Sequence, residues 1–132
     1  MPFLRRFRLT NPLGVRGEDE AVIFLKKRGF AIIERNWKNR TGRAIGEIDI
    51  VAKEGNELVF VEVKARKSRR EETVLPEESI TRGKLRRLSR IAEGYIREKR
   101  LGNAPYRIDA LLLVFSDSGK ETEVRHFRSI FL

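Results

Sequence analysis

The sequence predicts an α/β domain, a mixed β-sheet flanked by helices in the order α-β-β-β-α-β-β. Three observations carry this. The stretch GEIDIVAKEGNELVFVEVKAR, residues 46–66, reads as a β-hairpin. Segments on either side of it repeat their apolar residues at helical spacing. The run ALLLVF at 110–115 has no polar face, as expected of a strand covered by helices on both sides of a sheet.

Taken in order, MPFLRRFRLT is basic and lacks the continuous apolar core of a secretory signal, so residues 1–11 read as a basic N-terminal arm. A first helix is expected from Asn11-Pro12, an N-cap followed by Pro at the first helical position, to Arg28, with Gly29 as the C′ residue. Ala21, Val22, Phe24 and Leu25 form its apolar face, and Glu18 falls on that same face. Two readings of Glu18 stand side by side: a carboxylate stabilised by the helix dipole, or a ligand reaching the hairpin. Phe30–Glu34 is expected as a short strand. Trp37, the single tryptophan, lies beside the basic tract KNRTGR, either stacking on a base or closing the rim of the core.

In the hairpin, Ile48, Ile50 and Ala52 alternate with Glu47, Asp49 and Val51, and residues 58–65 are β-branched and apolar apart from Glu62 and Lys64. Glu54-Gly55-Asn56-Glu57 supplies the turn. In the simplest register Asp49 opposes Glu62 and Glu47 opposes Lys64, which gathers all four side chains on one patch. Like charges directly opposed destabilise a hairpin, and one lysine does not neutralise three acids. A hard divalent cation is the economical answer to the excess; the other reading has Glu62 and Lys64 facing solvent from a strand end and Asp49 paired with a nearby arginine.

Residues 67–78 form a charged loop without apolar periodicity. A second helix is expected from Thr81, an N-cap, to Arg100. Leu85, Leu88, Ile91, Ala92, Tyr95 and Ile96 make a stripe of about 140° on its wheel. Arg86, Arg90 and Arg97 lie opposite. Lys84 falls on the apolar azimuth with its amine at the helix start, to meet a phosphate, the acidic patch or a structural partner. A turn at Gly102–Pro105 precedes a strand over Arg107–Phe115, in which Arg107 and Asp109 share a face and pair. A last strand covers Thr122–Phe127. His126, the single histidine, is exposed by alternation, so a histidine triad or zinc site is not expected.

The chain has 132 residues, suited to a single domain over 1–132. Its 29 Lys and Arg exceed its 19 Asp and Glu, for a net charge of +10. Such an excess favours polyanions as partners. With no cysteine, disulfides and thiolate metal sites are excluded, which agrees with a cytoplasmic protein. No apolar stretch reaches membrane-spanning length.

An Asp on one strand followed by Glu-x-Lys on the next resembles the PD-(D/E)xK motif of restriction-endonuclease-like nucleases. The longer strings GEIDIV and VFVEVKAR resemble the YraN family, uncharacterised proteins regarded as endonuclease-related. Gly17-Glu18, Ala21, Phe24-Leu25, Asn36, Lys84 and the R-x-D of Arg107 and Asp109 match that family as well, whereas ARKSRREETVLPEES departs from it. The resemblance implies a restriction-endonuclease-like fold and a metal-dependent nuclease. Asp49 and Glu62 would hold Mg²⁺ or Mn²⁺ with the Val63 carbonyl. Glu47 and Glu18 would extend the site, and Lys64 would orient the attacking water. Lys84, Arg66, Arg43 and Trp37 are the candidate nucleic-acid contacts, with DNA favoured over RNA. A fold-level similarity to archaeal Holliday-junction resolvases suggests branched DNA and a homodimer. The alternative is a nucleic-acid-binding module whose acidic patch is vestigial.

Overall fold

The computed structural model of the chain describes residues 12–39, 46–68, 81–118 and 120–130. The basic arm, Arg43 and most of the charged loop therefore lie outside the described residues. Two helices and five strands follow the expected order: α1 (Pro12–Lys27), β1 (Ala31–Asn39), β2 (Gly46–Glu54), β3 (Glu57–Lys67), α2 (Arg82–Glu98), β4 (Tyr106–Phe115) and β5 (Thr122–Phe127). They build one sheet of order β1-β2-β3-β4-β5. Neighbours are antiparallel except β3 and β4, which run parallel and are joined through α2. Sheet and helices together are compatible with the restriction-endonuclease-like fold.

The helices cover opposite faces. Ala21 and Leu25 of α1 pack on Ile50, Val59, Val61, Leu111 and Leu113. On the other face Leu85, Leu88, Ile91 and Tyr95 of α2 pack on Val51, Phe60 and Ile108. Each such side chain, fully buried, contributes about 1.5–3 kcal/mol. This accounts for β4: strands paired on both edges and covered on both faces have no polar side to show.

The ends of α2 follow from its caps. The Thr81 hydroxyl accepts the Lys84 amide at 3.1 Å, and Arg100, with φ of 54°, stops the helix two residues beyond Glu98. Gly29 ends α1 at φ 91°, the left-handed conformation expected of a C′ residue.

Three expectations are corrected. The first strand is not confined to residues 30–34 but runs to Asn39, so Asn36 and Trp37 are strand residues, and Trp37 pairs with Ile48 of β2. Its hydrogen-bonded partner supplies what its charged sequence lacks. The expected turn at residues 54–57 forms, with Gly55 at a positive φ of 60°. His126 is not exposed: its Nε2 lies 2.8 Å from Oδ2 of the fully buried Asp109, beneath the rings of Phe24 and Phe30. Trp37 is only 7% exposed and donates through Nε1 to Glu98 at 3.0 Å, with its ring edge-on to Tyr95. A ring so enclosed is a core element and has no face left for a base.

Arg107 and Asp109 do pair, at 3.0 Å, and Asp109 also accepts the Ser129 amide at 2.8 Å. Arg107 reaches on to Glu54 and Glu57 at 2.9 and 2.7 Å, and Arg128 also bonds Glu54. The network ties the hairpin turn and the end of the chain to β4. Burial pushes the Asp109 carboxyl up, but its bonds with His126, Arg107 and the Ser129 amide, and after them the Arg107 charge, hold it below its ordinary range.

Candidate active site

The hairpin has the expected register over part of its length. Ile50 pairs with Val61, Val51 with Phe60, and so on to Glu54 with Glu57, but the ladder ends at Ile50–Val61. The rungs that would set Asp49 against Glu62 and Glu47 against Lys64 do not form. In their place the Asp49 carboxylate accepts the Val63 amide at 2.8 Å. A side chain thus stands where a backbone carbonyl would continue the sheet, and β2 and β3 separate at their polar ends.

The alternation of β2 also changes there. Ile50 packs under α1, whereas Ile48 packs under α2 together with Val51. β1 does the same on the same rung. Arg35, paired with Ile50, meets Asp19 of α1 at 2.7 Å, and Trp37, paired with Ile48, meets α2. Both strands turn over between these rungs, at Asn36, with φ of 55°, and Asp49, which the β1–β2 ladder leaves unpaired with each other. The period-two reading of Ile48, Ile50 and Ala52 as one face is therefore corrected.

Residues from two elements converge beside this opening. One carboxylate oxygen each of Glu18 (α1), Glu47 and Asp49 (β2) lie within 4.8 Å of one another. Glu18 is carried there because α1 rests on β3 at Gly17, where an added Cβ would stand 2.7 Å from that of Ala65. Of its two readings, the geometry brings forward the one that reaches the hairpin. Glu62 stands beside the trio rather than in it. Its Oε1 lies 2.9 Å from the Lys84 amine and 3.8 Å from that of Lys64.

The electrostatics follow. Burial, and after it the charge of Glu62, push the Asp49 carboxyl up to about 8, with Glu18 and Glu47 adding to the rise and the Val63 amide resisting it. Contact with Lys84 holds the Lys64 amine below the ordinary lysine value, and burial adds to this. Burial pulls Lys84 down too, but its contacts with Lys64 and Glu62 leave it raised. A cluster of hard oxygens whose central acid resists ionisation suits a small divalent cation, which would replace the missing positive charge. No thiol occurs in the chain, and its one imidazole is committed to Asp109.

Of the other expected contacts, Arg66 is a partly buried β3 residue beside Val114. Arg35, which also approaches Glu18 at 3.8 Å, was not singled out from sequence, and neither was the shared turn of β1 and β2. Asn is among the few residues that readily take a left-handed backbone, so Asn36 was the available signal.

The family model for "Uncharacterised protein family UPF0102" matches residues 17–113. A UPF0102 protein of Caldicellulosiruptor saccharolyticus is 39% identical over 119 residues, 90% of this chain and 96% of its own. One of Dictyoglomus thermophilum is 42% identical over 82% of this chain and 86% of its own. UPF0102 protein NMB2089 of Neisseria meningitidis serogroup B is 42% identical, over 80% and 87%.

Proposed function

Because the chain belongs to the uncharacterised family UPF0102, also the YraN family, we propose an activity from its site: a metal-dependent nuclease that hydrolyses phosphodiester bonds of nucleic acid, DNA before RNA. The observation that carries this reading is the opening between β2 and β3, where three carboxylates converge beside a Glu-x-Lys pair.

Asp49 is held by the Val63 amide with its other oxygen free of that bond, and Glu18 and Glu47 bring further oxygens to the same point. These residues and Glu62 would hold Mg²⁺ or Mn²⁺. When bound, such a cation polarises a phosphoryl oxygen and acidifies a water. Lys64 and Lys84 meet at Glu62. Lys84 neutralises the carboxylate and leaves Lys64, the amine with the weaker hold on its proton, to orient the attacking water. The same amine offsets charge that builds up on the phosphorus.

The test is cleavage of linear, nicked, flapped and four-way substrates in Mg²⁺, Mn²⁺ or chelator. Wild type should cut only with metal. Lys64→Ala should lose about two to three orders of magnitude in turnover, roughly 3 kcal/mol, while its affinity for nucleic acid changes far less. Wild-type turnover in Lys64→Ala would remove the lysine from the mechanism. Binding without cleavage of any substrate would leave a non-catalytic nucleic-acid-binding module.

A further inference from the structure

We propose that Arg35 and Lys38 of β1 contact the phosphate backbone of a nucleic acid laid across the acidic site; the inference rests on the nuclease reading above. Both side chains lie on the face of the sheet that carries the acids. Trp37 packs under α2, and the Asn39 amide lies against Gly94 of α2, where an added Cβ would stand 3.0 Å away. Lys38, between these two in the strand, points to the other face. It is paired with Glu47, whose neighbours Gly46 and Ile48 also meet α2 and whose own carboxylate joins Glu18 of α1. Opposed residues share a face, with Cβ atoms about 5 Å apart. Arg35 is placed by contact: its Nη2 lies 2.7 Å from Asp19 and 3.8 Å from Oε2 of Glu18.

Their chemistry suits an anion beside the acids. β1 and β3 flank β2, so the acids of β2 have Lys64 on one side and Arg35 with Lys38 on the other. With the charge of Glu18 and Glu47 taken up by a divalent cation, the two bases next to them face a second anion. Arg35 is able to serve it. Both its contacts come from one nitrogen, whereas a guanidinium offers five N–H donors in a fork that fits a phosphate. Its partner Asp19 is 57% exposed and Arg35 itself 37%, and an ion pair so open to water holds little stability. β1 is also the edge of the sheet, with no strand beyond it among the described residues. A backbone that crosses the acids therefore continues over open surface.

The test uses a labelled duplex with phosphorothioate linkages, which keep the charge and slow hydrolysis, titrated in Mn²⁺ at several salt concentrations. Arg35→Gln with Lys38→Gln should lower the slope of log K on log salt by up to about 1.8, or about 0.9 for each contact. Arg35→Lys should keep the slope and bind more weakly, having lost the fork. Mn²⁺ affinity without nucleic acid should hold or rise in the double variant, since two positive charges leave the neighbourhood of the cation. Melting should stay close to wild type. An unchanged slope overturns the proposal. Weaker Mn²⁺ binding by the double variant does so too, because it would make these side chains supports for Glu18 and Glu47. If the double variant does not fold, Lys38→Gln decides alone, by a slope lower by about 0.9 or unchanged. The slope change in a chain that cleaves no unmodified substrate with any metal would support the contact and remove the nuclease reading instead.

Discussion

At the scale of single residues, Asp49 combines two opposed demands. It must accept the Val63 amide, which favours the ionised carboxyl, and it must sit buried among Glu62, Glu18 and Glu47, which penalises ionisation. Its proton is held up to about 8 in the folded chain against 3.8 for the free side chain. Between those values the folded state keeps a proton that the unfolded state has lost. Stability therefore falls as pH rises from about 4 towards 8, and levels off above. Asp49→Asn keeps an acceptor for Val63 and deletes the charge. It should melt higher than wild type in chelator at pH 8, with the gap closing as pH falls to 4. Metal reverses the order, because only wild type gains linkage stabilisation, about 2.7 kcal/mol at a hundredfold excess over Kd. The gain should grow with pH up to about 8, as the competing proton leaves. A metal-indifferent wild type, or an Asn variant that melts lower in chelator, would contradict this account. Glu47, Asp49, Glu62 and Lys64 were legible as neighbours because the turn at Gly55 folds β2 back on β3, and Glu18 because it falls on the apolar face of α1. The ladder's early end was not, since it depends on a side chain displacing a backbone rung.

At the scale of elements, both helices could be read nearly to the residue, since apolar spacing and caps are local properties. β1 could not. Its second half, ERNWKN, is charged or polar apart from Trp37, and only its pairing with β2 makes it a strand of nine residues. His126 was misjudged for a related reason. Alternation assigns it a face, but whether that face is covered depends on Phe24 and Phe30 lying over it. The contact between α1 and β3 places Glu18, and Gly17 sets its closeness. Gly17→Ala gains up to about 1 kcal/mol in helix propensity. It also drives a methyl against Ala65, whose Cβ is too near its backbone to yield, at a cost of about 1–3 kcal/mol. The variant should melt below wild type and bind Mn²⁺ more weakly as Glu18 is pushed off. Melting at or above wild type would show that α1 can shift without penalty.

For the whole molecule, the +10 charge was apparent from composition, but where it is displayed was not. No described helix is long and apolar enough to cross a membrane. The outward face of α2 carries Arg82, Arg86, Arg90 and Arg97, all exposed, with no acid in its first turn. Arg82, Arg86 and Arg90 follow one another at four-residue intervals, the spacing at which like charges destabilise a helix, and two of them lie near its positive end. A polyanion laid along this face would relieve that repulsion. Lys84, on the opposite side of the same helix, reaches Glu62 and so the proposed site of cleavage. If the surface neutralises phosphates, log K for duplex DNA should fall linearly with log salt at about 0.9 per contact. Arg86→Gln with Arg90→Gln should lower that slope by up to about 1.8, weaken binding across sequences alike, and leave melting unchanged or slightly raised. Titration of a labelled duplex at several salt concentrations measures both slopes. An unchanged slope would make this face a solvated one and return the search for the nucleic-acid path to the other basic surfaces.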